Sequence, residues 1–216
     1  MNRGLSTLAA ILAGLLIAAS AAQAHPHVWV QMKSAVVYGS DGAVIGVRHA
    51  WTFDDMYSAF ATQGLDQKVK GQFTREELQP LAQVNVESLK EYAYFTFAKA
   101  DGKSTPFAEP VDYHLEYNAK DTILTLFFLL PFKAPVKAKA LNFEVYDPTY
   151  FVDFAWSEKD PVALTHAPAG CQFQVAKPPP MDAALAKRLA DIPVDGQVPA
   201  DFSGAQFSNK VLVRCP

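Results

Sequence analysis

Apolar and polar residues alternate over two stretches near the start of the chain, and each stretch predicts a β-strand. The first covers residues 27–38 and the second covers 43–53, with the turn Gly39-Ser40-Asp41-Gly42 between them. Two strands joined by so short a polar turn predict a β-hairpin. Paired residue numbers should sum to 81 or 83, because an odd sum places the apolar faces of both strands on the same side. That shared apolar face comprises Val28, Val30, Met32, Val36, Val47, Trp51 and Phe53.

The apolar period changes to a helical one between residues 54 and 92. A twelve-residue EF-hand loop can be laid on Asp66 to Glu77, with Gly71 at its sixth position. Its third and fifth positions are Lys68 and Lys70, where calcium needs oxygen ligands. We therefore predict a helical hairpin of EF-hand shape that binds no calcium.

Short alternating stretches separated by Pro, Gly, Asn and Asp follow from residue 92 to 176 and predict antiparallel strands. A stiff Lys-Pro-Pro-Pro spacer begins at residue 177, a short helix is predicted over 181–190, and a last strand over 207–215. The predicted class is α+β. It is mainly antiparallel β and sandwich-like, with the helical hairpin inserted at about 54–92 in a domain of residues 25–176. Residues 177–216 form a C-terminal extension with a short helix.

The first 24 residues have the features of a secretory signal peptide. Arg3 gives a positive start, residues 5–19 are mostly apolar, and Ala22-Gln23-Ala24 is a small-residue cleavage box. Cleavage after Ala24 would leave 192 of the 216 residues, delivered to the periplasm without membrane insertion; the alternative is an uncleaved anchor. With Arg3 removed, 18 basic and 22 acidic residues give a net charge of −4, which argues against nucleic-acid binding.

The chain has two cysteines, Cys171 and Cys215. An even number of cysteines in an oxidising compartment predicts one disulfide, which ties the C-terminal extension back to the domain. The alternative of a redox or metal-binding pair has little support, because neither cysteine belongs to a C-x-x-C motif.

Cleavage would also place two histidines, His25 and His27, at the first and third positions of the mature chain. They point to the same side of an extended strand, and the hairpin register brings Asp54 to the same end. Two imidazoles, an α-amine and a carboxylate suit zinc, nickel or cobalt. Pro26 has no N–H, so the square-planar site that uses deprotonated backbone amides is excluded. The alternative is a solvated chain terminus.

Two further residues are candidates for this metal site. The hairpin register puts His49 on the apolar face, where it is either a ligand or a hydrogen-bonded core histidine. Asp54 is either a direct ligand or a carboxylate that orients a ligating histidine.

Six segments in a fixed order carry a family resemblance. They are HPHVWV, RHAWTFDDMYSAF, the EF-hand-shaped loop, SLKEYAYFTF, FEVYDPTYFVDF and APAGC. Over roughly residues 25–176 the chain resembles a family of exported bacterial proteins of undefined biochemistry. Its members are described as the periplasmic component of an uncharacterised ABC-type transport system. The resemblance implies association with a nickel/cobalt-type permease of the inner membrane, and with zinc uptake in part of the family. Relatives can carry a calcium-competent loop, from which this chain departs at Lys68 and Lys70.

Other polar residues have simpler explanations. Asp147 suits a turn, although Asp147 and Asp153 could instead orient a ligating histidine. His114 belongs to a polar stripe on one strand, and His166 to a loop.

Three classes of function remain at this point. The first, a periplasmic accessory protein that binds zinc, nickel or cobalt for a membrane transport system, is the expected function. The second is a metal-free interaction module that docks on the permease. The third is a metal-dependent hydrolase built on His25, His27 and Asp54, but the sequence contains no general base for it and no hydrolase motif. We therefore expect a protein that is not an enzyme.

Overall fold

The computed structural model describes residues 26–193, 196 and 198–216. Its first two strands, β1 (Val28–Tyr38) and β2 (Val44–Phe53), form the predicted hairpin. Val30 lies opposite Phe53, so the paired numbers sum to 83, and the register shifts only next to the turn, between Val37 and Tyr38. The predicted odd register is confirmed, and all seven residues of its apolar face are buried.

The hairpin forms the middle of the first sheet, whose strand order is β5-β6-β2-β1-β8. A further strand, β9, follows β8 along the same edge of β1. The remaining strands of this sheet are β5 (Val111–Asn118), β6 (Ile123–Val136), β8 (Val152–Trp156) and β9 (Val162–Thr165). Both β8 and β9 run parallel to β1, whereas the other pairs are antiparallel.

The second sheet is antiparallel throughout, in the order β10-β11-β7-β3-β4. Its strands are β3 (Thr96–Ala100), β4 (Lys103–Ser104), β7 (Ala140–Val145), β10 (Gln172–Ala176) and β11 (Asn209–Arg214). The sheets share one apolar core, in which Phe128 of the first and Phe143 of the second are fully buried. The predicted α+β class, with mostly antiparallel strands, is confirmed.

The C-terminal residues are part of this architecture. β11 lies between β10 and β7 as an inner strand, and the predicted disulfide between Cys171 and Cys215 is present beside it. The short helix α3 (Ala183–Ala190) packs on a small cluster of its own, which contains Tyr150, Leu189 and Phe207.

The helical hairpin consists of α1 (Asp55–Thr62) and α2 (Arg75–Leu89). α2 buries Leu78, Ala82 and Val86, which lie four residues apart on one helix face. Two side-chain pairs tie α2 to β5: Arg75 with Glu116, and Gln83 with Tyr113. α1 is held to β6, because the Leu124 N–H donates to Ser58 Oγ at 3.0 Å.

A tight turn, Lys90–Phe95, leads from α2 into β3. Three successive residues in it have left-handed backbone angles, with φ of 51° at Ala93, 55° at Tyr94 and 49° at Phe95. This unfavourable backbone turns the chain sharply enough to bury Tyr94 and Phe95 directly after the helix. Within the described ranges, no helix is long and apolar enough to cross a membrane.

Candidate functional site

His27 lies immediately before β1, beside the loop that precedes β8. Its backbone N–H donates to the carbonyl of Phe151 at 2.8 Å, and the two ring centroids are 4.6 Å apart. The strand end is therefore fixed, and the half-buried imidazole rests on an aromatic ring. The other predicted N-terminal ligand, His25, lies outside the described residues.

Asp54 directly follows β2 and caps α1. Its Oδ1 accepts from the Tyr57 N–H at 2.7 Å, and its Oδ2 accepts from the Trp29 N–H at 2.8 Å. The Asp54 N–H donates back to the Trp29 carbonyl at 3.0 Å. One carboxylate thus satisfies a free amide at the helix start and closes the open end of the hairpin. Both of its oxygens are engaged by the backbone, which leaves Asp54 poorly suited to be a metal ligand.

His49 lies in the core, between the two sheets. It is 1 % exposed, with Nδ1 2.9 Å from Ser34 Oγ and Nε2 3.4 Å from Thr96 Oγ1. Burial lowers the pKa of His49 from 6.5 to about 3. Ser34 is seven residues along β1 from His27, which is about 23 Å at roughly 3.3 Å per strand residue. The structure therefore does not bring His49 to His27, and gives it the hydrogen-bonded core position instead.

The remaining candidates do not assemble a metal site either. In the part of the chain that is described, no three His, Cys, Asp or Glu side chains are grouped to hold an ion. Asp147 is buried in its turn and accepts from the Thr149 N–H, the Thr149 hydroxyl and the Val152 N–H. Asp153 lies opposite Trp29 in the parallel β1–β8 pair, and burial raises the pKa of its carboxyl.

The EF-hand-shaped loop is closed by hydrogen bonds between the Glu77 side chain and backbone N–H groups of the loop. Glu77, at the twelfth position, accepts from the Lys68 N–H at 2.9 Å and from the Thr74 N–H at 2.7 Å. These bonds lower the pKa of Glu77. The Thr74 hydroxyl in turn accepts from the Glu77 N–H, which completes a capping box at the start of α2. The carboxylate that would bind calcium in an EF-hand is used here to cap the helix.

A site that the sequence analysis did not identify lies between the first sheet and the helical hairpin. It is a cleft of about 520 Å³, here called the apolar cleft. Its floor is the core face of the sheet, and α1, α2, the turn after α2 and the loop before β8 enclose it. The floor includes Val30, Trp51, Phe53, Leu126 and Phe154. The helices and the turn add Tyr57, Ala61, Leu81, Leu89, Tyr92 and Phe95.

The mouth of the apolar cleft carries apolar side chains that reach solvent. Phe60 is 76 % exposed, Val84 58 %, Tyr92 45 % and Phe151 44 %. Clustered exposed apolar residues around a concavity mark binding surfaces. His27 lies beside this mouth, outside the lining, because its ring packs on Phe151.

Most polar groups in the apolar cleft bond to the protein itself. The Tyr57 hydroxyl donates to Asn85 Oδ1 at 2.7 Å, and Asn85 Nδ2 donates to the Leu81 carbonyl. The Ser88 hydroxyl donates to the Val84 carbonyl. The Trp51 ring contributes to the floor, but its indole Nε1–H is itself buried, with no acceptor among the described residues.

Two comparisons with known proteins found a similarity, and neither match is described by an activity. A family model described as a protein of unknown function, DUF1007, matches residues 10–215. An uncharacterized protein of Haemophilus influenzae is 22 % identical over 194 residues, which cover 89 % of this chain and 91 % of that protein.

Proposed function

This chain belongs to the DUF1007 family of proteins of unknown function, and we propose that it is a binding protein, not an enzyme, that handles a divalent transition metal at its N-terminal histidines. Zinc is the first choice of metal, with nickel or cobalt as alternatives. The proposed location is the periplasm, and the proposed partner is a nickel/cobalt-type permease of the inner membrane. The location and the partner are supported by the signal-like N-terminus and by the family resemblance of the six segments.

The observation that carries the proposal is the fixed position of His27. Its N–H bond to the Phe151 carbonyl and its ring contact with Phe151 hold one imidazole at the end of β1. His25 is two residues upstream, so an extended chain directs both imidazoles to one side. Cleavage after Ala24 adds the α-amine of His25 as a third nitrogen donor.

The donor set suits a metal that must be passed on. Asp54 and His49 are committed to the fold, so the proposed ligands are His25, His27 and the amine. Three nitrogen donors leave one position of a tetrahedral zinc ion open for water or for a ligand from the partner. An open position allows ligand exchange, which delivery of the ion requires.

Calorimetric titration of protein that begins at His25 tests the proposal. Zinc, nickel and cobalt are each titrated at neutral pH into wild type, into a His25→Ala/His27→Ala double variant and into a His114→Ala/His166→Ala double variant. We expect one-to-one binding that the first pair of substitutions weakens at least ten-fold and that the second pair leaves unchanged. Equal binding by all three proteins, or by none, would rule out the N-terminal site.

A variant with one extra glycine before His25 tests whether the α-amine is a metal ligand. We expect weaker binding than in the wild type, because the α-amine is moved away from the imidazoles. Unchanged affinity would remove the amine from the ligand set and leave the two histidines.

A second candidate function is a metal-free interaction module, and the exposed apolar mouth of the cleft favours it. Metal stoichiometry separates the two candidates. A module of this kind would bind none of the three ions with a defined stoichiometry.

A further inference from the structure

The carboxylate of Asp153 is not bonded to the rest of the fold. Among the described residues, it accepts no hydrogen bond and forms no ion pair, and burial is the sole cause of the raised pKa of its carboxyl. Asp54 and Asp147, by contrast, accept two and three hydrogen bonds. A partly buried carboxylate without a partner is unfavourable, so the position of Asp153 calls for a functional explanation.

Asp153 lies beside the end of β1 that carries His27. In the parallel β1–β8 pair it is opposite Trp29, which is two residues after His27. Neighbouring strands are about 4.8 Å apart and two strand residues span about 6.6 Å, so the Cα atoms of His27 and Asp153 are roughly 8 Å apart. A histidine and an aspartate side chain can both reach one ion placed between Cα atoms at that separation.

The alternation along β1 shows which face of the first sheet the two residues share. Val28 and Val30 are buried in the core, so Trp29 between them faces the other side of the sheet and is 40 % exposed. Asp153 shares the face of its pairing partner Trp29 and is only partly buried, so it is open to solvent. His27 precedes Val28 and lies on this outer face as well, which agrees with Val28 lining the apolar cleft and His27 not lining it.

A carboxylate beside a ligating histidine can act in two ways. It can coordinate the ion directly, or it can accept a hydrogen bond from the imidazole and fix the orientation of the ring. Asp153 accepts no hydrogen bond from a described residue, His27 included, and this favours direct coordination.

We propose that Asp153 is the fourth ligand of the divalent ion that His25, His27 and the α-amine hold. This inference rests on the proposed function, in which three nitrogen donors leave one coordination position to water or to the partner. The Asp153 oxygen fills that position and completes a tetrahedral set of ligands, which suits zinc and cobalt. The bound cation in turn offsets the unpaired charge of the carboxylate. A ligand from the partner then has to displace Asp153 before the ion is delivered.

Calorimetric titration with zinc tests the ligand in protein that begins at His25. Asp153→Asn keeps the size of the side chain and removes its charge, and should weaken zinc binding at least ten-fold. Asp55→Asn is the matched control, because Asp55 is an exposed aspartate near the same end of β1, next to the Asp54 that bonds Trp29. It should bind zinc like the wild type. Melting temperatures measured without metal show that both variants fold.

Cobalt distinguishes direct coordination from orientation of the histidine. Asp153→Cys, prepared with the Cys171–Cys215 disulfide intact, places a thiolate where the carboxylate oxygen would bind. Cobalt bound to this variant should show a thiolate-to-cobalt charge-transfer band in the near ultraviolet. Asp55→Cys should show no such band. A residue that only oriented His27 would produce none in either variant.

Two results would overturn the inference and leave the histidine site standing. They are equal zinc affinity of Asp153→Asn and wild type, and a cobalt spectrum of Asp153→Cys without the charge-transfer band. The His25→Ala/His27→Ala variant, titrated in the same series, shows whether the histidine site itself exists. Absence of zinc binding in wild type would overturn both proposals, so the failure of one is distinguishable from the failure of the other.

Discussion

Ser34 Oγ and His49 Nδ1 lie 2.9 Å apart across the β1–β2 pair, and both residues are buried. Thr96 Oγ1, from the second sheet, lies 3.4 Å from the other ring nitrogen. The imidazole therefore spans the space between the two sheets. Its neighbours supply hydroxyl groups and aromatic rings but no charge, and the lowered pKa of His49, about 3, follows from this burial.

The buried imidazole predicts that the protein loses stability in mild acid. In the folded state His49 protonates only near pH 3, whereas in the unfolded chain it protonates near pH 6.5. Its contribution is fully present above pH 6.5 and is lost as the pH falls toward 3. The expected loss from this residue is about 3 kcal/mol between pH 7 and pH 4. Urea unfolding at a series of pH values measures it.

A His49→Gln variant distinguishes the contribution of His49 to the acid sensitivity from the contribution of the carboxyl groups. We expect a lower stability at pH 7 and a shallower fall between pH 6.5 and 4. His166→Gln removes an exposed loop imidazole and serves as the control, with a slope like that of the wild type. An unchanged slope in His49→Gln would show that this histidine is not responsible for the acid sensitivity.

Asp54→Ala should destabilise the protein by about 2 kcal/mol, because it removes the cap of α1 and leaves the Trp29 N–H without its acceptor. Asp54→Asn keeps an acceptor oxygen for the cap and should lose less stability than Asp54→Ala. Asp66→Ala, in the exposed loop, is the control. Urea unfolding gives the free energies, and zinc titration of Asp54→Asn tests the ligand set. A large loss of zinc affinity in that variant would show that Asp54 is a zinc ligand after all.

Glu77→Gln should lower the melting temperature, because the carboxylate that accepts from Lys68 and Thr74 becomes a weaker, neutral acceptor. The pKa of Glu77 is lowered from its ordinary 4.5, so the charged form contributes stability above about pH 4.5, and this contribution is lost as the pH falls below it. The difference between variant and wild type should therefore shrink in acid.

The melting temperature also tests whether the EF-hand-shaped loop binds calcium. Millimolar calcium should leave the melting temperature of wild type, of Glu77→Gln and of the control Glu91→Gln unchanged. A calcium-dependent rise in wild type that Glu77→Gln abolishes would show that the loop binds calcium despite Lys68 and Lys70.

Gly204→Ala should destabilise the protein by about 3 kcal/mol or more. A Cβ atom at this position would lie 1.8 Å from the backbone carbonyl oxygen of Asp147, which cannot move without disturbing the turn before β8. Gly39→Ala is the matched control, since its Cβ would meet side chains and no backbone: Asp41 at 3.2 Å and Ile45 at 3.7 Å. Thermal unfolding compares the two; equal melting temperatures would contradict the close approach.

The hairpin was predictable because its register follows from local alternation. One side of β1 and β2 is apolar, and a slip of one residue would expose it. The parallel pairing of β1 with β8 was not predictable in this way. The alternation in residues 152–156 shows which side chains are buried, but it contains no information about which strand edge they join.

The apolar cleft could not be found from the sequence for a related reason. Phe53, Leu81 and Phe154 each resemble ordinary core residues in their own element, and only the assembled fold leaves space between them. Met56 and Phe60 follow a helical period, yet they are 67 % and 76 % exposed. The sequence pattern of an apolar helix face is the same whether the rest of the protein covers that face or leaves it open to a ligand.

The parallel edge of β1 has a consequence for how the chain folds. β2 can pair with β1 as soon as residue 53 is available. The pairing of Val28 with Val152 cannot form until the chain is 124 residues longer. Until then one edge of β1 offers unpaired backbone groups to any other extended chain. Contacts of such long sequence separation form late and slow the folding rate. The interval before β8 docks is when the newly made protein is most open to aggregation, and when a chaperone that shields a strand edge would help it most.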